Sequence, residues 1–187
     1  MSIQTVTQLC AISDIVKTDG LVDQIANVED VHTGKIDPDA FFRRNHFTEG
    51  LTTLVRNGFD RLSGRAETGA FYLSQSMGGG KTHSLIAFAL LAQDDGLRHR
   101  IIPSIAPTAT FGAAKVVIFN GHQNPANFLW GSIAERLGRP ETMARFWKDG
   151  AKAPGVDDWK AALGDEPVLI LLDELPSYLQ LAEGHAV

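Results

Sequence analysis

Two short stretches of the chain carry residues able to handle a phosphoryl group. The first runs Ser74-Gln75-Ser76-Met77-Gly78-Gly79-Gly80-Lys81-Thr82-His83, and the second is Asp173-Glu174. Consecutive glycines let the backbone curl so that successive N–H groups between Gln75 and Gly80 turn inward on one anion. A helix starting at Thr82 would add roughly half a positive charge at the same spot. Lys81 would then reach the β and γ phosphates of a nucleoside triphosphate, and the Thr82 hydroxyl would take one magnesium position. An ammonium about 4 Å from one phosphate charge is worth about 4 kcal/mol at an effective dielectric near 20, before desolvation, so Lys81 is expected to be the largest side-chain contribution. The motif G-x-x-x-x-G-K-[ST] has glycine six positions before the lysine, where this chain has Gln75.

Asp173 and Glu174 follow the apolar run Val168-Leu169-Ile170-Leu171-Leu172. Open α/β sheets place their ligands at the carboxyl ends of strands, so this pair is positioned to meet the glycine loop. Asp173 would hold magnesium, mostly through water, and Glu174 would polarise the water that attacks the γ-phosphate. Taken alone, a glycine-rich turn can bind nothing and an acidic pair can be a helix cap. Their joint occurrence, each at a strand end, favours a nucleotide site.

Other reactive side chains fit structural roles better. His83 could sense the γ-phosphate, with helix packing as the competing role. His122 falls just after a strand, on the same expected ligand edge, or is simply a loop histidine. The six histidines lack metal-ligand spacing, and the one cysteine, Cys10, can form no internal disulfide, which suits a reducing cytosol. Trp130, Trp147 and Trp159 sit in helical patterns and read as core. No Gly-x-Ser-x-Gly elbow surrounds Ser74, Ser76 or Ser84, so serine hydrolase chemistry has no support.

The elements that must position these residues follow from periodicity and punctuation. Residues 1–40 read as a helical lead-in. Asp37-Pro38 starts a short helix carrying Phe41 and Phe42. Thr48 caps the next helix, whose Leu51, Leu54, Val55, Phe59 and Leu62 form one apolar stripe. Ala70 to Leu73 reads as a buried strand leading into the glycine loop, and a helix apolar on nearly all sides runs from Thr82 to about Gln93. Asp94 to Thr110 reads as loop. Lys115 to Asn120 reads as a second strand, and a helix follows from Asn124-Pro125 to Leu137. Glu141 to Lys148 and Asp157 to Leu163 read as two further short helices before the strand that ends at Asp173. This alternation is the pattern of an α/β fold with a parallel sheet flanked by helices.

Composition bounds the alternatives. In 187 residues there are 17 Lys and Arg against 22 Asp and Glu, a net charge of −5, which argues against a free-standing nucleic-acid binder. The basic groups Arg61/Arg65 and Arg98/His99/Arg100 are small and read as solvated surface. The longest apolar run, Leu85 to Ala92, is too short to span a bilayer, and the first residues do not form a signal peptide.

The sequence resembles P-loop ATPases of the additional-strand class, in which the Walker B aspartate is followed by glutamate. More narrowly, it is similar to AAA-like ATPases of prokaryotic phage-defence and restriction-modification neighbourhoods. The resemblance rests on Phe41-Phe42, Phe47-Thr48-Glu49-Gly50-Leu51, Gly78 to Leu85, Leu129-Trp130-Gly131-Ser132-Ile133-Ala134 through Leu137-Gly138, and Pro167 to Leu175. It implies ATP and magnesium as ligands, with the loop from Gln75 through His83 (Gln75, Ser76, Met77, Gly78, Gly79, Gly80, Lys81, Thr82, His83) on the nucleotide, Thr82 and Asp173 on the metal, and Lys81 and Glu174 as catalytic groups. It also implies that residues 41–187 are the N-terminal part of an ATPase domain whose sheet stops after the Walker B strand. A later sensor strand and an arginine from a neighbouring subunit would then lie outside this chain, leaving hydrolysis weak here. On this resemblance the intact protein is a cytoplasmic ATPase, a homo-oligomer through that arginine, doing conformational work on DNA or a protein partner. The competing expectation is a nucleotide-gated scaffold without hydrolysis.

Overall fold

The computed structural model describes residues 27–74, 80–123, 126–148 and 152–183. Their elements run α1 (Pro38–Arg44), α2 (Glu49–Leu62), α3 (Lys81–Gln93), α4 (Asp95–Ile101), β1 (Lys115–Asn120), α5 (Phe128–Arg136), α6 (Arg145–Lys148), α7 (Val156–Leu163), β2 (Val168–Asp173) and α8 (Leu175–Glu183), with short 3-10 turns at Val28–Val31, Ala106–Thr108 and Pro140–Thr142. The two strands pair in parallel, Lys115 opposite Val168 through Asn120 opposite Asp173. This is a mixed α/β architecture built on a two-stranded parallel sheet.

Side-chain alternation sends successive strand residues to opposite faces. Val116, Ile118, Leu169 and Leu171 join the core formed with α2 and α3, where Val55, Phe59, Ile86 and Leu91 are fully buried. On the other face Val117, Val168 and Ile170 meet Ile133 of α5, its C-cap Leu137, and Trp159 and Leu163 of α7. Helices therefore cover both faces. Each fully buried Leu, Ile or Phe contributes about 1.5–3 kcal/mol over its exposed state, so α3, buried on nearly every side from Ile86 to Ala92, is anchored by its own composition.

The caps follow the sequence closely. Asp37 accepts from the Asp39 N–H at 3.0 Å, and Thr48 accepts from the Leu51 N–H at 3.2 Å. The stripe on α2 buries Leu51, Leu54, Val55 and Phe59 as its spacing predicts. Gly58 on the same helix lies against the Phe88 ring with no room for a β-carbon, which sets the close approach of α2 to α3.

Several expectations are corrected. Ala70 to Leu73 is not a buried strand: it pairs with nothing among the described residues, and Tyr72 is 91% exposed. An apolar run becomes a strand only where another strand receives its hydrogen bonds. The stretch from Asp94 to Thr110 is not loop throughout. Asp94 accepts from the Leu97 N–H at 2.9 Å and so caps α4, and Ala106–Thr108 forms a 3-10 turn. The helix expected from Asn124 starts at Phe128 instead, Asn124 and Pro125 themselves lying outside the described residues. Glu141 to Lys148 divides into the 3-10 turn Pro140–Thr142 and the single turn of α6. Of the expected helical lead-in, residues 1–26 lie outside the described residues, and the rest holds the Val28–Val31 turn before α1.

Arg98 is the largest correction. Far from solvated, it is fully buried, donating to the carbonyls of Leu91 (2.9 Å), Ala92 (3.2 Å) and Gly112 and to the Asp95 carboxylate at 2.7 Å. Its guanidinium also lies 4.4 Å from the Phe111 ring centroid. A charge taken out of water needs such a set of partners, and position in sequence does not disclose them.

Candidate functional site

The site grows from the start of α3. Gly80 is its N-cap, at φ +79°, a left-handed conformation that strains any residue with a β-carbon. The Ser84 hydroxyl donates to the Gly80 carbonyl at 3.0 Å, and the Ser84 N–H to the same oxygen at 2.9 Å, which fixes the first turn. Gly80 makes no side-chain cap and the first turn holds no acidic residue of its own, so the positive end of the helix dipole falls on this turn. Lys81 and Thr82 are the first two residues of this turn and His83 the third. Gln75, Ser76, Met77, Gly78 and Gly79 lie outside the described residues.

The acidic strand end meets this turn directly. The Thr82 hydroxyl donates to Asp173 Oδ2 at 3.4 Å, a contact between residues 91 positions apart. Asp173 Oδ1 accepts from the Glu174 N–H at 3.1 Å. Each carboxylate oxygen is thus oriented by a separate donor, one from each half of the site. The Asp173 carbonyl accepts from the Gly121 N–H at 2.8 Å, extending the parallel pairing one residue past Asn120 and Asp173.

Glu174 stands at φ +51°, in the left-handed region. Its carbonyl packs against Gly121 so closely that a β-carbon there would overlap it, and the same carbonyl accepts from the Ser177 N–H at 3.1 Å as α8 begins. A non-glycine residue in this conformation costs on the order of 1–3 kcal/mol and persists only where its surroundings impose it. The strain turns the chain sharply after Asp173. The Glu174 side chain is half-exposed, with Oε2 4.0 Å from His122 Nε2, and the His122 N–H donates to Asn120 Oδ1 at 3.0 Å. His122 therefore does reach the acidic pair.

His83 is exposed and its ring stacks on buried Phe41, the centroids 6.1 Å apart and the planes 20° apart. Beside it opens a cleft of about 310 Å³ between α3 and the segment joining α1 to α2. The three tryptophans are partly buried around Ala134, Met143 and Ala162, away from this edge.

Among the described residues there is no group of three or more His, Cys, Asp or Glu able to hold a metal. Thr82 and Asp173 offer two hard oxygens, which fits magnesium, an ion that keeps several waters and shares substrate phosphates instead of demanding an all-protein cage. None of the described helices is long and apolar enough to cross a membrane. Sequence reasoning missed Gly121, whose placement directly after a strand opposite the acidic pair was the available signal. It also missed the cleft, signalled only by two phenylalanines flanking Asn45-His46.

A family model described as the DUF499 N-terminal domain matches residues 8–104, which is 97 of the 187 residues. The matched span includes the glycine loop and all of α3, whereas β1, Asp173 and Glu174 lie beyond it. No curated protein and no solved structure matches the chain.

Proposed function

The chain belongs to the DUF499 family, and from that premise we propose that it binds ATP with magnesium, hydrolysis in the intact protein driving conformational work on DNA or a protein partner. The observation that carries the reading is the Thr82 to Asp173 hydrogen bond. It joins the first turn of a helix that follows a Gly-Gly-Gly-Lys-Thr sequence to the acidic end of a parallel strand, the two parts a P-loop ATPase requires. Thr82 and Asp173 would hold magnesium, which supplies charge neutralisation across the phosphates when bound. Lys81 and the N–H groups of the loop, Gln75 through Gly80, would hold the triphosphate.

Glu174 has the role of general base. As the water oxygen bonds to the γ-phosphorus, a water proton passes to the Glu174 carboxylate and the bond to the β–γ bridging oxygen breaks, releasing ADP. Glu174 sits in a left-handed turn directly after Asp173, the residue that would hold the metal. Its half exposure gives water access.

Titration with Mg-ATP tests the reading. The wild-type chain should bind, and Lys81→Ala should weaken binding by about a hundredfold. Equal affinities would overturn it. In the intact protein Glu174→Gln should retain ATP unhydrolysed, which separates an ATPase from a scaffold that only senses nucleotide.

A further inference from the structure

The cleft beside α3 adjoins the turn to which the phosphates are assigned. One wall is Phe42, Asn45, His46 and Phe47, and the other is Gly80 and His83 from the first turn of α3. Its volume of about 310 Å³ stands at the lower end of the range for small-molecule sites, roughly 300–1,000 Å³, which suits one flat ring system better than an extended ligand.

Three observations define what that ring system is. Gly80 and His83 flank Lys81 and Thr82 on the same helical turn, so a ligand with its phosphates at that turn reaches the cleft without leaving the helix. Phe42 and Phe47 stack with centroids 5.8 Å apart and planes 18° apart, giving a flat aromatic wall of the kind on which bases stack. The Asn45 amide group donates one N–H to the Phe41 carbonyl at 2.8 Å, which fixes the carboxamide and leaves its oxygen as an acceptor beside one remaining N–H.

We propose that this cleft is the base site of the nucleotide, with Phe42 and Phe47 stacking the ring and Asn45 selecting adenine. The proposal rests on the ATP reading above. Adenine presents an exocyclic amine beside a ring-nitrogen acceptor, which match the Asn45 oxygen and its remaining N–H together, whereas guanine presents acceptors at both positions and would leave the Asn45 oxygen facing an acceptor. Pyrimidines cover less of the aromatic wall.

The test compares Mg-ATP, Mg-GTP and Mg-tripolyphosphate on the wild-type chain, Asn45→Ala and Phe47→Leu, with melting curves confirming that each variant is folded. Wild type should prefer ATP to GTP and to tripolyphosphate by about three- to tenfold or more, the range one hydrogen bond or stacking contact supports. Asn45→Ala should erase the preference over GTP, Phe47→Leu should weaken both nucleotides, and neither should alter tripolyphosphate binding. Should tripolyphosphate bind wild type as tightly as ATP, the base site is overturned while the phosphate site stands. If none of the three binds, both readings fall together. Where one variant is unfolded, the other decides.

Discussion

β1 and β2 are six residues each, paired in register and nearly equal in apolar content, yet they occupy different environments. Val116, Val117, Ile118 and Phe119 are all buried in β1, whereas in β2 only Leu171 is, and Leu172 is 39% exposed. The difference lies in what surrounds them. β1 has α3 on one face, α5 on the other, β2 along one edge and the Val28–His32 turn along the second, where the Ile118 N–H donates to His32 Nε2 at 3.3 Å. β2 has β1 along one edge and, among the described residues, no strand along the other. A continuous apolar run predicts a strand that can be covered on both faces. It does not say whether both edges are covered as well.

Truncation should expose this contrast most strongly. Ile118→Ala in β1 should cost about 2–5 kcal/mol by urea unfolding, as for large-to-small changes at fully buried sites, while Leu172→Ala in β2 should cost about 1 kcal/mol or less. Similar losses at both positions would break the comparison.

Gly121→Ala acts where the two strands end. Its β-carbon would overlap the Glu174 carbonyl, so it should destabilise by about 1–3 kcal/mol and slow hydrolysis in the intact protein more than it weakens nucleotide binding. Unchanged hydrolysis would show that the close approach of the strand ends does not position Glu174.

The smallest effect concerns the covered edge of β1. Desolvation of His32 against β1, together with the Arg136 guanidinium, lowers its pKa from 6.5, Glu29 opposing. A histidine with a lowered folded pKa is held neutral, so its contribution is complete above pH 6.5 and is lost as the pH falls from there through the lower folded value. Protonation also removes the lone pair that accepts from Ile118. His32→Gln should therefore flatten the decline in urea midpoint between pH 8 and pH 5. An unaltered slope would assign that decline to other groups.

How much was legible divides along the same line. Helix caps at Asp37 and Thr48, the stripe on α2, and the bounds of β1 and β2 were readable because each depends on a few neighbouring residues. So was the union of Thr82 and Asp173 at one edge, which follows from parallel topology. Ala70 to Leu73 misled because strand formation depends on a partner elsewhere in the chain. Arg98 misled because its acceptors, the Leu91, Ala92 and Gly112 carbonyls, come together only when α4 folds back on α3. The left-handed turn at Glu174 had no local signal, since glutamate rarely adopts it.

Arg98 also bears on the far end of the helix whose carbonyls it binds. Its guanidinium sits at the carboxyl terminus of α3, on Leu91 and Ala92, and so offsets the partial negative charge of the helix dipole there. At the amino terminus the first turn holds no acidic residue of its own, and the Asp173 carboxylate approaches it through Thr82. An anion bound at Gly80 would meet the positive end of the same dipole, so ligand binding and the firmness of α3 are thermodynamically linked, and α3 would be held most firmly with an anion in place.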